Sequence, residues 1–290
     1  NKGLELDGSY RINNSLDFTF NWSTKKNKVL KLTEGTQILT LVGGSVSSVA
    51  ADPSFDGKTH ALGALYGTGS VTDDDGKLIL DANGFPQITS TPVILGDPNP
   101  DWRGTFGFNG KINGVSLNVL FEHSQGGDYS PRTQWVLRRF GTTKETDNEV
   151  LLDEDLVNFD GNTIPAGTTV RGHIHDFGGG KVILDETWYR HGIGGGFGDN
   201  QAYNFSIKDA TFTKLREISI GYDLVHPAIT SMGLSSVTFR WTGRNLWSRY
   251  KELVGVDPAV NQSGVSSGFG LDYFTNPSTK SYLFSLTANF

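Results

Sequence analysis

The sequence predicts an all-β chain of antiparallel hairpins. Three observations carry this: apolar and polar residues alternate with period two in seven segments, six of the segments fall into pairs with turn residues or a compact link between them, and no apolar run approaches the roughly 20 residues of a membrane-crossing helix. The composition agrees. The 290 residues include 37 Gly, 11% aromatics, a single Met and no Cys. A core must therefore use aromatics, Leu, Ile and Val, and disulfides and thiolate metal sites are ruled out. The length allows one large domain or two ordinary ones. A net charge of −6 with no basic stripe argues against nucleic acid as a partner. The lack of Cys fits an exported bacterial protein.

In the first pair, Leu4, Leu6 and Tyr10 alternate with Glu5 and Asp7, then Leu16, Phe18, Phe20 and Trp22 with Asp17, Thr19 and Asn21. Asn13-Asn14 between them suits a tight turn because Asn tolerates positive φ. Residues 1–10 already read as strand, with no Met or leader ahead, so the start is expected to lie inside something longer. In the second pair, Trp102, Phe106 and Phe108 are followed by Val115, Leu117, Val119 and Phe121, with Asn113-Gly114 as a strong hairpin signal. The third pair sets Ile218, Ile220 and Tyr222 before Val237, Phe239 and Trp241, with a compact link at 226–234. The terminal segment places Tyr282, Phe284, Leu286, Ala288 and Phe290 on one face and Ser281, Ser285, Thr287 and Asn289 on the other; Leu283 alone breaks the pattern. Segments 36–42, 61–69, 180–189 and 205–211 are expected to add short strands.

The connections are short at one end (12–14, 112–114, 226–234) and long at the other (24–100, 125–212, 246–280). Such long loops are usually functional. Short turns opposite long loops are the layout of outer-membrane barrels, whose strands alternate lipid-facing and lumen-facing residues. A soluble sandwich that uses the aromatics as its core satisfies the same alternation, so a secreted carbohydrate-binding β-sandwich module stands as the alternative.

The chemical motifs are sparse. Asp73-Asp-Asp-Gly76 and Asp81-Ala-Asn-Gly84 lack the rest of a calcium loop and read as turns. His173 and His175 could chelate a metal from one strand face, but no third ligand stands at a standard spacing, although Asp176 and His191 are nearby in sequence, and they read as exposed loop histidines. Asp153-Glu154-Asp155 reads as a solvated loop. No Gly-x-Ser-x-Gly elbow occurs, and Gly178–Gly180 and Gly192–Gly198 lack the setting of a phosphate cradle. No catalytic residue, metal site or cofactor is assigned, and an enzyme is not expected. Trp135, Arg138, Arg139 and Phe140, with Trp188 and Tyr189, are loop residues suited to stacking on a sugar or peptide. They suit equally the pinning of one loop to another. Trp135, Arg138, Trp188 and Tyr189 are carried forward as substrate-contact candidates.

Asn1-Lys-Gly-Leu-Glu5, Phe20-Asn-Trp22 with Lys26-Asn-Lys-Val29, Gly96-Asp-Pro-Asn-Pro-Asp-Trp102, and above all Asp209-Ala-Thr-Phe-Thr-Lys-Leu-Arg-Glu-Ile-Ser-Ile-Gly-Tyr222 stand in an order that resembles SusC/RagA-type TonB-dependent outer-membrane transporters of Bacteroidetes. Arg244-Asn-Leu-Trp247, Tyr250, Asp257-Pro258, Asp272, Pro277 and a final aromatic strand follow. The resemblance covers nearly the whole chain and is densest from 205 onward. It implies that residues 1–290 are the C-terminal part of a 22-stranded barrel, supplying roughly its last seven to ten strands, with the plug and earlier strands outside the chain. It further implies import of glycans or peptides, a SusD-like surface lipoprotein as lid, and TonB acting through the missing plug. The expected location is the outer membrane of a Gram-negative bacterium. Phe18, Phe106, Leu117, Ile220, Phe239 and Trp241 are then lipid-facing, with Phe284 in the same band, and Tyr282, Phe284 and Phe290 form the C-terminal insertion signal. The last strand is expected to pair with 235–245.

Overall fold

Alternation along a strand becomes alternation across a sheet only when neighbouring strands pair in register. The computed structural model describes residues 1–190, 201–264 and 268–290, and it meets this condition in one seven-stranded antiparallel sheet. The strands are β1 (Lys2–Asn13), β2 (Leu16–Lys26), β3 (Trp102–Ile112), β4 (Val115–Gln125), β5 (Phe212–Leu224), β6 (Ser236–Tyr250) and β7 (Ser281–Asn289). They lie side by side in chain order, as an up-and-down meander. β1 and β7 are its two edges and do not pair with each other. The seven expected strands are all present, and β7 pairs with Ser236–Arg244 of β6 as expected.

The turns show why the register holds. Asn113 and Gly114 both adopt positive φ, 49° and 81°, the conformation whose twist matches the flanking strands. Asn13-Asn14 does not behave this way. The β1–β2 turn falls on Asn14-Ser15, and neither Asn has positive φ. Instead Asn13 Oδ1 accepts the Ser15 amide at 2.8 Å, an Asx turn, and the register shifts between Arg11 and Asn13 to accommodate it. The β5–β6 link contains a single helical turn, α3 (Pro227–Thr230), started by Pro227. A second register shift lies at Arg216 in β5, which is one extra residue relative to β4, while β6 sets both Asn245, at a φ of 51°, and Leu246 against it.

The long connections are not structureless. The first carries a four-stranded antiparallel sheet (Ile38–Val42, Ser47–Ala51, Ala64–Gly67, Val93–Gly96). In the second and third, Asp128–Pro131 pairs with Lys208–Asp209 on one side and Leu271–Asp272 on the other, tying both loops together. Two further helices, α1 (Arg132–Arg139) and α2 (Glu186–Arg190), also form there. Both are too short to show a helical period in sequence.

Burial is inverted relative to a soluble β protein. The buried apolar clusters lie in the connections: Phe85, Val182, Trp188, Tyr189 and Ala202; Val46, Leu65, Trp135, Tyr203 and Leu271; Tyr129, Leu253 and Val256; Leu152, Leu156 and Ile183. The apolar side of the seven-stranded sheet is left uncovered. Phe239, Tyr282 and Phe284 are 51%, 61% and 78% exposed. A sandwich would seal that side under a second sheet; among the described residues none does so.

Candidate functional site

The first element of the site is the uncovered face of the sheet. Residues paired across an antiparallel ladder point the same way, so the register assigns faces. Trp22 lies opposite Gly104, Phe20 opposite Phe106 and Phe18 opposite Phe108. Phe106 then meets Phe121 and Phe108 meets Val119. Val119 meets Ile218 and Leu117 meets Ile220; Ile220 meets Trp241 and Tyr222 meets Phe239. Trp241 meets Phe284 and Phe239 meets Leu286. Phe18, Phe106, Leu117, Ile220, Phe239 and Trp241 thus share one continuous apolar face with Tyr282 and Phe284. Gly8 sits under the Phe20 ring, where a Cβ would come within 2.7 Å of the ring. The glycine is thus what lets the aromatic lie flat across the ladder.

On β6 the apolar face runs from Val237 to Trp247 before Arg249. Because of the bulges this stretch advances about eight ladder steps of about 3.4 Å, which at the tilt of about 40° usual in transmembrane barrels give a height of roughly 21 Å. The apolar band of such barrels is about 25 Å tall. Its borders are aromatic. Trp22, Trp102, Trp247 and Tyr282 lie toward the long loops, and Tyr10 and Tyr222 toward the short turns. Indole and phenol rings favour such a border because one end is apolar and the other wet.

The opposite face is polar and cross-linked. Arg11 pairs with Asp17 at 3.2 Å, Lys111 with Asp223 at 2.7 Å and Arg244 with Glu217 at 2.9 Å. The bulge turns Arg216 onto Glu122 and Asn245. Near the loop end Lys214, 1% exposed, donates to both oxygens of Asp257 at 2.5 and 2.6 Å and to Ser278 Oγ at 3.2 Å. This pair anchors loop 251–280 to the sheet. Burial pushes the Asp257 carboxyl up, but hydrogen bonds from Lys214, Ser278 and the Ala259 amide outweigh it and hold it below the ordinary value. Above this anchor a cavity of about 560 Å³ opens between sheet and loops, lined by Arg103, Ser124, Asp128, Tyr129, Phe212 and Asn261 among others. Burial, with Asp97, Asp209 and Asp101 nearby, raises the Asp128 carboxyl despite its bond from the Asp97 amide.

The four substrate-contact candidates do not form one site. Trp135 is fully buried and stacks on Tyr203 at 5.1 Å; Trp188 packs with Phe85, Phe159 and Phe177. Both pin loops together, because each ring is large enough to seed a small core where the loops have little else. Arg138 and Tyr189 are brought together. They line a cavity of about 580 Å³ with Arg139, Phe140, Arg171 and Arg190. Burial, with Glu145 nearby, pushes the Tyr189 hydroxyl up to about 12. Arg171 and Arg190 were missed by sequence reasoning; they come from distant segments, and no spacing marks them.

The remaining motifs are structural. Asp73 Oδ1 accepts the Asp75 and Lys77 amides, and Asp81 Oδ1 those of Asn83 and Phe85. Asp176 accepts from Gly178 and Gly180, and His173 Nε2 lies 2.7 Å from the Glu145 carbonyl. Among the described residues no three His, Asp or Glu are grouped to hold a metal ion. His191 and Gly192–Gly198 lie outside the described residues.

An up-and-down sheet that is greasy on one face, polar on the other and short-turned at one end has the build of an outer-membrane barrel wall. No protein-family model matches the chain. It is 24% identical to the TonB-dependent receptor P3 of Formosa agariphila, over all of this chain and 28% of the receptor. Its fold matches the RagAB peptide transporter (TM-score 0.56, 15% identity, 99% of this chain and 29% of that one) and the RagAB peptide importer in its open-open state (TM-score 0.56, 15% identity, 99% and 28%). The resemblance to SusC/RagA-type TonB-dependent transporters is upheld, and the chain spans under a third of the relatives it matches.

Proposed function

We propose that residues 1–290 form one unit, the C-terminal wall and extracellular loops of a transporter that imports glycans or peptides across the outer membrane of a Gram-negative bacterium. The uncovered apolar face carries this reading: roughly 21 Å of aromatic-bordered surface has a stable partner only in acyl chains. The edges of β1 and β7 would pair with the transporter's other strands, since unpaired backbone is costly in lipid. TonB would act through a plug belonging to the rest of the protein. A SusD-like lipoprotein would rest on the loops at 126–211 and 251–280. Tyr282, Phe284 and Phe290 would form the signal read during insertion. The test is fractionation of the full-length protein with cross-linking from the loops. Outer-membrane recovery that requires detergent, with lid cross-links at the loops, is expected. A soluble monomer, or cross-links confined to the short turns, would overturn the reading.

A further inference from the structure

The seven strands sort their charges by face and by end. Every Asp and Glu within them, namely Glu5, Asp7, Asp17, Glu122, Glu217 and Asp223, stands on the polar face. The basic residues on the apolar face are Lys2, Lys26, His123 and Arg249, and all four lie at its loop end, beside or beyond the tryptophan border. The turn-end border, from Tyr10 to Tyr222, carries no charge on this face. Two of the four basic residues have local explanations. His123 stacks on Trp102 at 4.8 Å and lies 2.8 Å from the Thr213 hydroxyl. Arg249 is followed by Lys251, which pairs with Asp209 at 2.6 Å, and by Glu252, so two cations there meet two carboxylates. Lys2 and Lys26 have no such account. They stand directly opposite each other across the β1–β2 ladder, both exposed, and like charges so placed repel. The next pair on this face is Leu4 and Thr24. Asp101, whose carbonyl accepts from the Thr24 hydroxyl, turns its carboxylate toward Gly126 instead. Neither lysine forms an ion pair or a side-chain hydrogen bond among the described residues. A lysine on an edge strand blocks unwanted pairing, which explains Lys2 but not Lys26, since β2 is an inner strand. Lys26 stands four residues, roughly 10 Å in height, beyond Trp22. The headgroup layer extends roughly 5–8 Å beyond the hydrocarbon, and a lysine stem can bend back into it.

We propose that Lys2 and Lys26 together bind the phosphate of an anionic lipid at the loop-end border, its acyl chains lying along Leu4, Leu6 and Trp22. The inference rests on the reading of the sheet as a membrane wall. A shared anion removes the repulsion between the two ammonium groups, and only a lipid brings one to the rim of an apolar band. The test is native mass spectrometry of the detergent-extracted full-length transporter, titrated with dioleoylphosphatidic acid and with dioleoylphosphatidylcholine. Phosphatidic acid should bind more tightly. Lys2→Gln and Lys26→Gln should each cut that preference about five-fold, and the double variant about 30-fold. Added salt should lower it, and Lys26→Arg should keep it. Lys25→Gln is the control; it changes the adjacent lysine, which stands opposite Gly3 on the other face, and should leave the preference intact. Soluble glycerol phosphate should bind far more weakly than the lipid. Equal retention of the two lipids, a preference unchanged in the double variant, equal loss in Lys25→Gln, or glycerol phosphate binding as tightly as the lipid would overturn the site. Insertion into pure phosphatidylcholine vesicles, read by heat-modifiable gel mobility, separates the two readings. A transporter that does not insert fails as a wall, whereas one that inserts without the preference fails only at this site.

Discussion

Val119→Arg should impair assembly far more than Val115→Arg, although both change the same residue type on the same face of β4. Val115 begins β4 next to the Asn113-Gly114 turn. Val119 is four residues further along, roughly 10 Å deeper at about 3.4 Å per residue and a tilt of about 40°. In a band about 25 Å tall that places Val119 close to the midplane. Arginine on the lipid face costs about 2–4 kcal/mol at midplane and about 0–1 kcal/mol at the border. The deep variant should therefore shift the folding equilibrium by one to three powers of ten and the shallow one by less than one. Phe239→Arg and Leu117→Arg, each two residues from a border, should fall between. The assay is urea titration of the full-length transporter in lipid vesicles, read by heat-modifiable gel mobility. Thr287→Arg is the control; it lies on the polar face of β7, opposite Thr238. Equal costs at Val115 and Val119, or a larger cost at Thr287, would refute the facing.

Deleting Phe290, which is 93% exposed, should lower outer-membrane insertion while trimming exposed residues of the 73–76 turn does not; equal yields would count against a terminal signal. Lys214→Ala should destabilise the attachment of loop 251–280 by about 3–5 kcal/mol, because it strands the buried Asp257 carboxylate. Lys214→Met combined with Asp257→Leu should cost much less, and limited proteolysis of the loop distinguishes the two. The depressed value of Asp257 means its stabilisation is complete above the unfolded value near 3.9 and disappears as pH falls through the lower folded value. Protection of loop 251–280 should thus fail only in strong acid, and Asp257→Asn should remove that dependence. Asp128 has the opposite sign: its contribution declines as pH rises from the unfolded value to its raised folded one. Asp128→Asn should therefore stabilise the loops at neutral pH relative to the wild type, measured by thermal unfolding.

The wall was legible because its signal is local. Period-two alternation survives in sequence wherever one face is greasy, and Asn113-Gly114 fixes its own turn. The Arg216 bulge was not legible, since an extra residue is a property of three paired strands rather than of Lys214-Leu-Arg-Glu217 alone. Four loop strands were legible, since 36–42, 61–69, 180–189 and 205–211 hold Ile38–Val42, Ala64–Gly67, Lys181–Leu184 and Lys208–Asp209; the other loop strands escaped because two to five residues are too short for a period to show, and α1 because two short amphipathic turns look like any polar loop. Trp135 and Trp188 illustrate a different limit. A tryptophan in a polar segment fits a binding platform and a loop core equally well, and only the surrounding fold decides. Here it put both in loop cores, while Arg171 and Arg190 reached the cavity through contacts that no spacing encodes.

The inverted burial carries a mechanical consequence. In the proposed barrel wall, a sheet with no core of its own would draw its stability from backbone pairing and from lipid, and would tolerate little charge on one face and much on the other. The loops are stabilised by packing around Phe85, Trp135, Tyr129 and Leu152, none of which belongs to the sheet. The two systems meet where Tyr250 of β6 packs against Tyr129 and Leu253, at Asn245 and Thr279, and at the Lys214–Asp257–Ser278 cluster, whose ion pair is the most deeply buried among the described residues. An ion pair is a poor source of stability when buried but a strong specifier of geometry. Placing it where a folded loop joins the sheet fixes how the loop stands over the polar face, a property that the loop cores alone could not define.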